Sequence, residues 1–290
     1  MNPILSIAIV NFNYGRYLEA AVRSVLDQQV EGVELVVVDG GSKDNSVEVI
    51  KKYADKLGWW VSEPDKGQSD AFNKAFAHCR GKYLTWLNAD DIMPKGCLKK
   101  IVKELVRHPK CEWFTGNLFR FVDKLKEEVE KIGGGGERTV YPVVECAWGP
   151  NYLPGFLQGK GMPIAVYGPA TIFTKRIFDA AGGMKLHQNF MMDTDLWMRF
   201  VMMGVKQRRI NCFCWAFRMH VDSKTAEFGD HKLSPEQRTK FEAERKASHE
   251  ATGYKPSKVL GRLWQLWRIL DGSFVKGLWL KKMFKHVEVV

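Results

Sequence analysis

Residues 83–91 read YLTWLNADD: five mostly apolar residues run into Asn88 and Ala89 and then into two adjacent acids, Asp90 and Asp91. Neighbouring carboxylates at one strand end repel each other unless a cation, a metal or a helix N-terminus stands against them. The same arrangement recurs upstream. ILSIAIVNF (4–12) is an apolar, β-branched run of the kind buried on both faces, and it ends at Asn11 and Asn13. VELVVVD (33–39) is a second such run, closed by Asp39, and WWVSE (59–63) is a short third one leading to Asp65. Between them, residues 16–29 carry Leu18, Ala21, Val22, Val25 and Leu26 at helical spacing, 45–57 also reads as a helix, and 65–79 reads as a turn opening into one. Strand, helix, strand, helix, strand, helix, strand within some ninety residues implies right-handed crossovers and a mostly parallel sheet with helices on both faces. Ligands of such sheets bind at the carboxyl ends of the strands. Asn11, Asn13, Asp39, Asp65 and Asp90 all fall there.

Downstream, 94–109 reads as a helix, 111–122 as a strand, and 164–184 as a strand plus a short helix ending at Gly182 and Gly183. A helix starts near Asp193, 205–219 reads as two short strands, and a charged helix is expected over 234–251. Gly133 to Gly136 lack the Lys-Ser/Thr ending of a phosphate-binding loop, so a connector is expected there. In the tail, Leu260, Leu263, Trp264, Trp267, Leu270, Phe274, Leu278 and Trp279 make one apolar stripe, with Arg262, Arg268, Lys276, Lys281, Lys282 and Lys285 beside it. A basic amphipathic helix with tryptophan suits a bilayer surface; packing on the main domain is the alternative.

The bulk numbers bound these readings. With 290 residues and 45% hydrophobic content there is ample material for a core. A net charge of +11 points to an anionic partner: nucleotide phosphates, nucleic acid or a membrane surface. No nucleic-acid motif is present, and acids at the strand ends would repel a phosphate backbone, so nucleic acid is discounted. Six scattered cysteines without zinc spacing, Cys79, Cys97, Cys111, Cys146, Cys212 and Cys214, read as reduced core residues of a cytosolic protein. MNPILSIAIVNFN reads as a strand rather than a signal peptide, and no apolar stretch reaches membrane-span length.

In order, VNFNYGRYLEAAVRSVL, VVVDGGSKDNS, SEPDKGQSDAFNKA, YLTWLNADD, GGM with MMDTDLWMRF, and FRMHVDSKT resemble the family 2 glycosyltransferases over about residues 4–225. The resemblance implies an α/β chain with a GT-A (Rossmann-like) sheet, plus C-terminal amphipathic helices. It makes residues 1–225 a GT-A domain, with a nucleotide-sugar half (1–115) and an acceptor half (116–225), and the tail pattern adds a helical extension over 226–290 that could associate with a membrane. It implies an inverting enzyme that moves a sugar from a nucleotide-diphospho-sugar to a hydroxyl of a glycan or lipid-linked saccharide in cell-surface polysaccharide synthesis. UDP is the expected nucleotide, with GDP and dTDP open, and Mn²⁺ or Mg²⁺ is the expected cofactor. The place of action would be the cytoplasm or the inner face of the cytoplasmic membrane.

Residue by residue, the resemblance puts Asn11, Asn13, Asp39, Gly40, Asp70, Asn88, Ala89 and Asp90 at the nucleotide-sugar and makes Asp90 and His220 metal ligands. Asp193 matches the catalytic base, and Asp91 and Asp195 bind acceptor or orient their neighbours. Two departures stand out: Asn88 replaces the first acid of the D-x-D motif, and Met192 stands where Glu is common. Several alternatives stay open. NADD could be a helix cap and so could Asp193; His220 could be structural; Asp65 could be a turn residue and Lys66 a solvated cation. Either Ser42 or Asp44 could cap the helix after strand two, Arg218 could contact diphosphate, and Trp197 is expected in packing. Among competing functions, a sugar-phosphate nucleotidyltransferase would want a Gly-rich loop after strand one, where NFNYGRYLEAA has a single glycine. A non-catalytic nucleotide-sugar binder remains an alternative because of Asn88 and Met192.

Overall fold

The structure, a computed structural model, describes residues 2–121, 157–158, 160–162, 164, 166, 168–220 and 234–283, with side chains to 279. Seven strands form one sheet in the order β3-β2-β1-β4-β6-β5-β7. They are β1 (Leu5–Asn11), β2 (Val33–Asp39), β3 (Trp59–Ser62), β4 (Tyr83–Asn88), β5 (Trp113–Phe121), β6 (Thr171–Thr174) and β7 (Gln207–Arg218). Neighbouring pairs are parallel except those made by β6, which runs antiparallel to β4 and to β5. The boundary expected at residue 115 thus falls inside β5, within one continuous sheet.

Both faces of β1 and β2 are buried, which explains their unbroken apolar reading. Ile7, Ile9, Leu35 and Val37 enter one core cluster, and Ala8, Val10, Val36 and Val38 enter the other. Helices α1 (Gly15–Leu26), α2 (Ser46–Tyr53) and α4 (Cys97–Arg107) pack against the first cluster. Helices α3 (Gln68–His78), α5 (Lys175–Ala180) and α6 (Met192–Met202) build the second. There Trp197 is fully buried and stacks on Trp86 at 5.7 Å and Trp113 at 5.9 Å between ring centroids, the packing role expected of it. Each such pair adds about 0.5–1.5 kcal/mol beyond area burial.

The two strands expected over 205–219 are one strand of 12 residues, Gln207–Arg218. Its register against β5 shifts on both sides of Asn117: Thr115 pairs with Arg209 and Asn117 with Phe213. Such a bulge breaks the alternation, so one strand reads as two. Gly116 makes it possible, because a Cβ there would lie 2.2 Å from Cys214 Sγ. Cys79, Cys97, Cys111, Cys212 and Cys214 are free thiols. Cys146 and the Gly133–Gly136 connector lie outside the described residues.

The C-terminal helices are α7 (Pro235–Thr252), α8 (Lys258–Leu270) and α9 (Ser273–Met283). Ser234 opens α7 with a capping box: its hydroxyl accepts from Gln237 N, and its own N–H donates to Gln237 Oε1. α7 is docked on the sheet domain. Gln188 Nε2 donates to Ser248 Oγ at 2.8 Å, and Tyr254, just past the helix, donates its hydroxyl to Met162 O at 2.7 Å. The single tail stripe expected from sequence is split. Leu260, Trp264 and Trp267 pack against the second core cluster, whereas Leu263, Leu270, Phe274, Leu278 and Trp279 are exposed. In a helix, positions 260, 264 and 267 share one face, and 263 and 270 lie on the next. Among the described residues, no helix is long and apolar enough to cross a membrane.

Candidate active site

The ends of β1, β2 and β3 converge on Asp39. Asn11 Nδ2 donates to Oδ1 at 2.7 Å, Ser62 Oγ to Oδ2 at 2.7 Å and Ser42 N to Oδ2 at 2.9 Å, and the Ser42 hydroxyl also donates to Oδ1. Burial pushes this carboxyl up, but the hydrogen bonds from Ser42, Ser62 and Asn11 outweigh it and hold Asp39 below the usual carboxylate range. Asn11 Oδ1 is buried beside it with no hydrogen-bond partner among the described residues. Asn13 sits in the left-handed region (φ 57°), where its N–H donates to Ser42 Oγ and its Oδ1 accepts from Lys43 N. Gly40 lets the chain pass close to its neighbours here: a Cβ would lie 2.6 Å from Asp65 Oδ2 and 3.3 Å from Phe12 Cδ2. Phe12 is 59% exposed and stands at this rim.

Of the two candidate caps after β2, Asp44 does that work. Its Oδ1 accepts from Ser46 N at the start of α2, and its Oδ2 accepts from Gly15 N at the start of α1. Asp65 accepts from Gly67 N and Asp70 from Lys66 N, so both brace the turn into α3. Lys66 is exposed on that turn.

The end of β4 separates its two acids. Asp90 Oδ2 lies 3.0 Å from His220 Nε2, and the side chains are 13% and 1% exposed. Asp91 is fully buried and accepts from Arg218 N at 2.9 Å and from Asn88 Nδ2 at 2.7 Å. Burial, and then the charge of Asp90, push its carboxyl well above the usual range. Asp91 is thus a tie between the β4 end and β7. Asn88 follows from it: an amide donates where a second carboxylate would repel. The Ala89 methyl is packed in the core, so its expected ligand contact can only be through backbone. Arg218 is 1% exposed, donates from Nε to Asp90 O at 2.6 Å, and lies over Tyr17 and Phe121. It holds the Asp90 backbone from within the core rather than reaching outward to a diphosphate.

His220 lies against Tyr17, with ring centroids 4.6 Å apart, and Tyr14, at 5.8 Å. Its Nδ1 is buried without a hydrogen-bond partner among the described residues. Asp90 and His220 are the two donors the sequence assigned to a metal, and the fold brings them together across β4 and β7. Among the described residues no group of three or more acids, histidines or cysteines could hold an ion. The donor set still fits Mn²⁺ or Mg²⁺, which are bound through one or two protein ligands plus substrate phosphates and waters.

Asp193 stands in the first turn of α6, partly exposed. Its Oδ1 accepts from Thr194 N at 2.6 Å, and its Oδ2 lies 3.5 Å from where a Gly168 Cβ would project beside Trp86. The N-cap is Met191, whose side chain makes no capping bond. The cap comes from elsewhere. Glu244 of α7 accepts from Asn189 N (3.0 Å), Phe190 N (2.8 Å) and Met191 N (3.2 Å), three consecutive amides ahead of Asp193. Nothing local in the sequence marks Glu244. Asp195 is 4% exposed and ion-paired with Arg199 at 2.7 Å, while Arg199 Nη1 donates to Ala181 O and Gly183 O. Through that pair Asp195 holds Arg199 on the loop after α5. Met192, in place of the expected acid, is buried and takes a weak contact from the Ser69 hydroxyl.

Sheet order and strand-end carboxylates define a GT-A glycosyltransferase fold. The fold resembles S. aureus TarS 1–349 in complex with UDP-GlcNAc (TM-score 0.56, 15% identity, 80% of this chain and 62% of that one). It also resembles the mannosyltransferase PcManGT from Pyrobaculum calidifontis in complex with GDP-Man and Mn²⁺ (TM-score 0.51, 16% identity, 99% of this chain and 89% of that one). In sequence, residues 6–143 match the family model described as Glycosyl transferase family 2. Curated relatives include the uncharacterized glycosyltransferase alr2836 of Nostoc sp. (38% identity over 102 residues, 34% of this chain and 32% of that protein). Glycosyltransferase GlyG of Streptococcus pneumoniae serotype 4 is 25% identical over 124 residues, 42% of this chain and 41% of that protein. The chain therefore spans about a third of the length of the former and two fifths of the latter.

Proposed function

We propose that the protein is an inverting glycosyltransferase that moves a sugar from a nucleotide-diphospho-sugar to a hydroxyl of a glycan or lipid-linked saccharide, in cell-surface polysaccharide synthesis. The observation that carries this reading is the Asp90–His220 pair at the carboxyl edge of the sheet, 3.0 Å apart and nearly buried, beside the Asp39 cluster. A buried acid and imidazole with an orphaned second nitrogen suit a divalent cation and a diphosphate better than they suit a structural ion pair. Asp90 and His220 would hold the metal; when bound, it neutralises charge developing on the leaving diphosphate.

The nucleoside end of the donor belongs at Asp39 and Asn11. The orphaned Asn11 Oδ1 is an acceptor for a base N–H, and the exposed ring of Phe12 offers a stacking face. UDP and GDP are the leading bases, since the structural neighbours are complexed with UDP-GlcNAc and with GDP-Man. The Asp193 carboxylate takes the proton from the acceptor hydroxyl as its oxygen bonds to the anomeric carbon. The bond from that carbon to the diphosphate oxygen breaks, and the nucleoside diphosphate leaves with the electron pair. One displacement from the opposite face inverts the anomeric centre.

The test follows nucleoside diphosphate release from UDP-GlcNAc and from GDP-mannose in separate reactions. Asp193→Asn should lower turnover by about 10²–10⁴-fold, the usual contribution of a general base, with donor affinity unchanged. Near-normal turnover of the variant would remove Asp193 from the mechanism.

A further inference from the structure

Thirteen large apolar side chains are exposed among the described residues, and nine of them fall within α8 and α9. On α8, Val259 (67% exposed), Leu266 (52%), Ile269 (55%) and Leu270 (70%) remain uncovered after Leu260, Trp264 and Trp267 have packed onto the domain. On α9, Val275, Leu278 and Trp279 are exposed by 62%, 51% and 56%. A soluble surface carries such residues singly; a contiguous run marks a contact surface. The two helices are held as one hairpin. Gly272 takes φ 74°, and Ser273 N donates to Asp271 Oδ1 at 2.9 Å, closing the turn. Ser257 caps α8, and its N–H donates to Gly161 O, fixing the hairpin to the domain.

The charge around this face decides the occupant. Between Lys255 and Met283 the sequence holds Lys255, Lys258, Arg262, Arg268, Lys276, Lys281 and Lys282 against the single acid Asp271. A second copy would bring the same cations against themselves. A bilayer surface containing anionic lipid is complementary to both halves of the pattern, taking apolar side chains at the acyl boundary and cations at the headgroups. Helices of 13 and 11 residues are too short to span it.

We propose that the α8–α9 hairpin is a docking surface that lies in the plane of an anionic bilayer, with its uncovered apolar face immersed. The proposal does not depend on the reaction assigned above, and its test contains no sugar nucleotide. The full chain is sedimented with vesicles of phosphatidylcholine alone and of equal phosphatidylcholine and phosphatidylglycerol, at about 0.1 M and about 0.5 M salt. Binding to the anionic vesicles should exceed binding to the neutral ones by about tenfold or more and should weaken at high salt. The triple variant Leu266→Glu, Leu270→Glu, Leu278→Glu alters only exposed positions; it should keep its melting temperature and lose vesicle binding by about tenfold or more. Lys258→Glu with Arg262→Glu, a separate variant, should lower anionic binding and leave the neutral background unchanged. Equal binding by wild type and triple variant, or no binding by wild type, would overturn the proposal. A dimer that the triple variant dissociates, without any vesicle binding, would overturn it in favour of a second copy.

Discussion

Asp39 and Asp193 are held in opposite ways. The donors on Asp39 come from Asn11, Ser42 and Ser62, none more than 28 positions away, and all at the ends of neighbouring parallel strands. The turn ahead of Asp193 is held by Glu244, 53 to 55 positions further along and on a helix outside the sheet. The first site is a product of the sheet itself. The second rests also on a docked C-terminal helix. Binding of the nucleotide and the chemical step should accordingly fail through different residues.

The widest separation is expected from the loss of turnover in Asp193→Asn, with donor binding intact. Glu244→Gln comes next. It leaves one acceptor oxygen for three N–H groups and removes the charge, so kcat should drop about tenfold while the donor's Kd stays within a factor of two. Hydrogen bonds to a charged group are worth about 1.5–3 kcal/mol, so the melting temperature should also fall, and Glu244→Asp should recover part of both. A Kd change as large as the kcat change would erase the distinction between the two regions. Ser62→Ala works the other way: it removes one donor from Asp39 and should weaken donor binding several-fold with kcat little altered, as read by titration beside steady-state kinetics.

The smallest effect concerns pH. Burial raises the Glu34 carboxyl, but the bonds from Ser6 and from the Arg80 backbone and side chain outweigh it and hold it below the ordinary glutamate range. A depressed carboxylate gives its stability above the unfolded pKa, about 4.3, and loses it as pH falls through the folded value. Glu34→Gln should therefore flatten the acid limb below about pH 4.3 in thermal melts while leaving the donor's Kd at neutral pH unchanged. An unchanged acid limb would show that other carboxylates control it.

What could be read from the sequence follows the same division. The parallel half was legible because β1, β2 and β4 are buried on both faces and their polar ends stand out against apolar runs. Pairing Asp90 with His220 needed the resemblance as well, since β4 and β7 are far apart in the chain. MMDTDLW marked Asp193 as an acid at a helix start and left Asp195 either to bind acceptor or to orient its neighbour. Residues two apart on a helix face different ways, and Asp195 turns inward to Arg199 four residues on. Asp91, expected to bind acceptor or to orient its neighbours, is buried against β7, because adjacent acids at a strand end point to opposite sides. The tail stripe was visible as apolar, but its division between a packed and an uncovered face depends on where α8 lands. Glu244 left no signature, because one glutamate in a charged helix looks like any other.

The central claim is that Asp90, opposite His220, anchors a metal-dependent nucleotide site. UDP, GDP and dTDP titrated into the protein by calorimetry, with and without Mn²⁺, test it most directly. One nucleotide should bind only with metal present, and Asp90→Ala should abolish this binding while the fold survives. Binding that ignores the metal and survives Asp90→Ala, or no binding of any nucleotide with metal present, would contradict it.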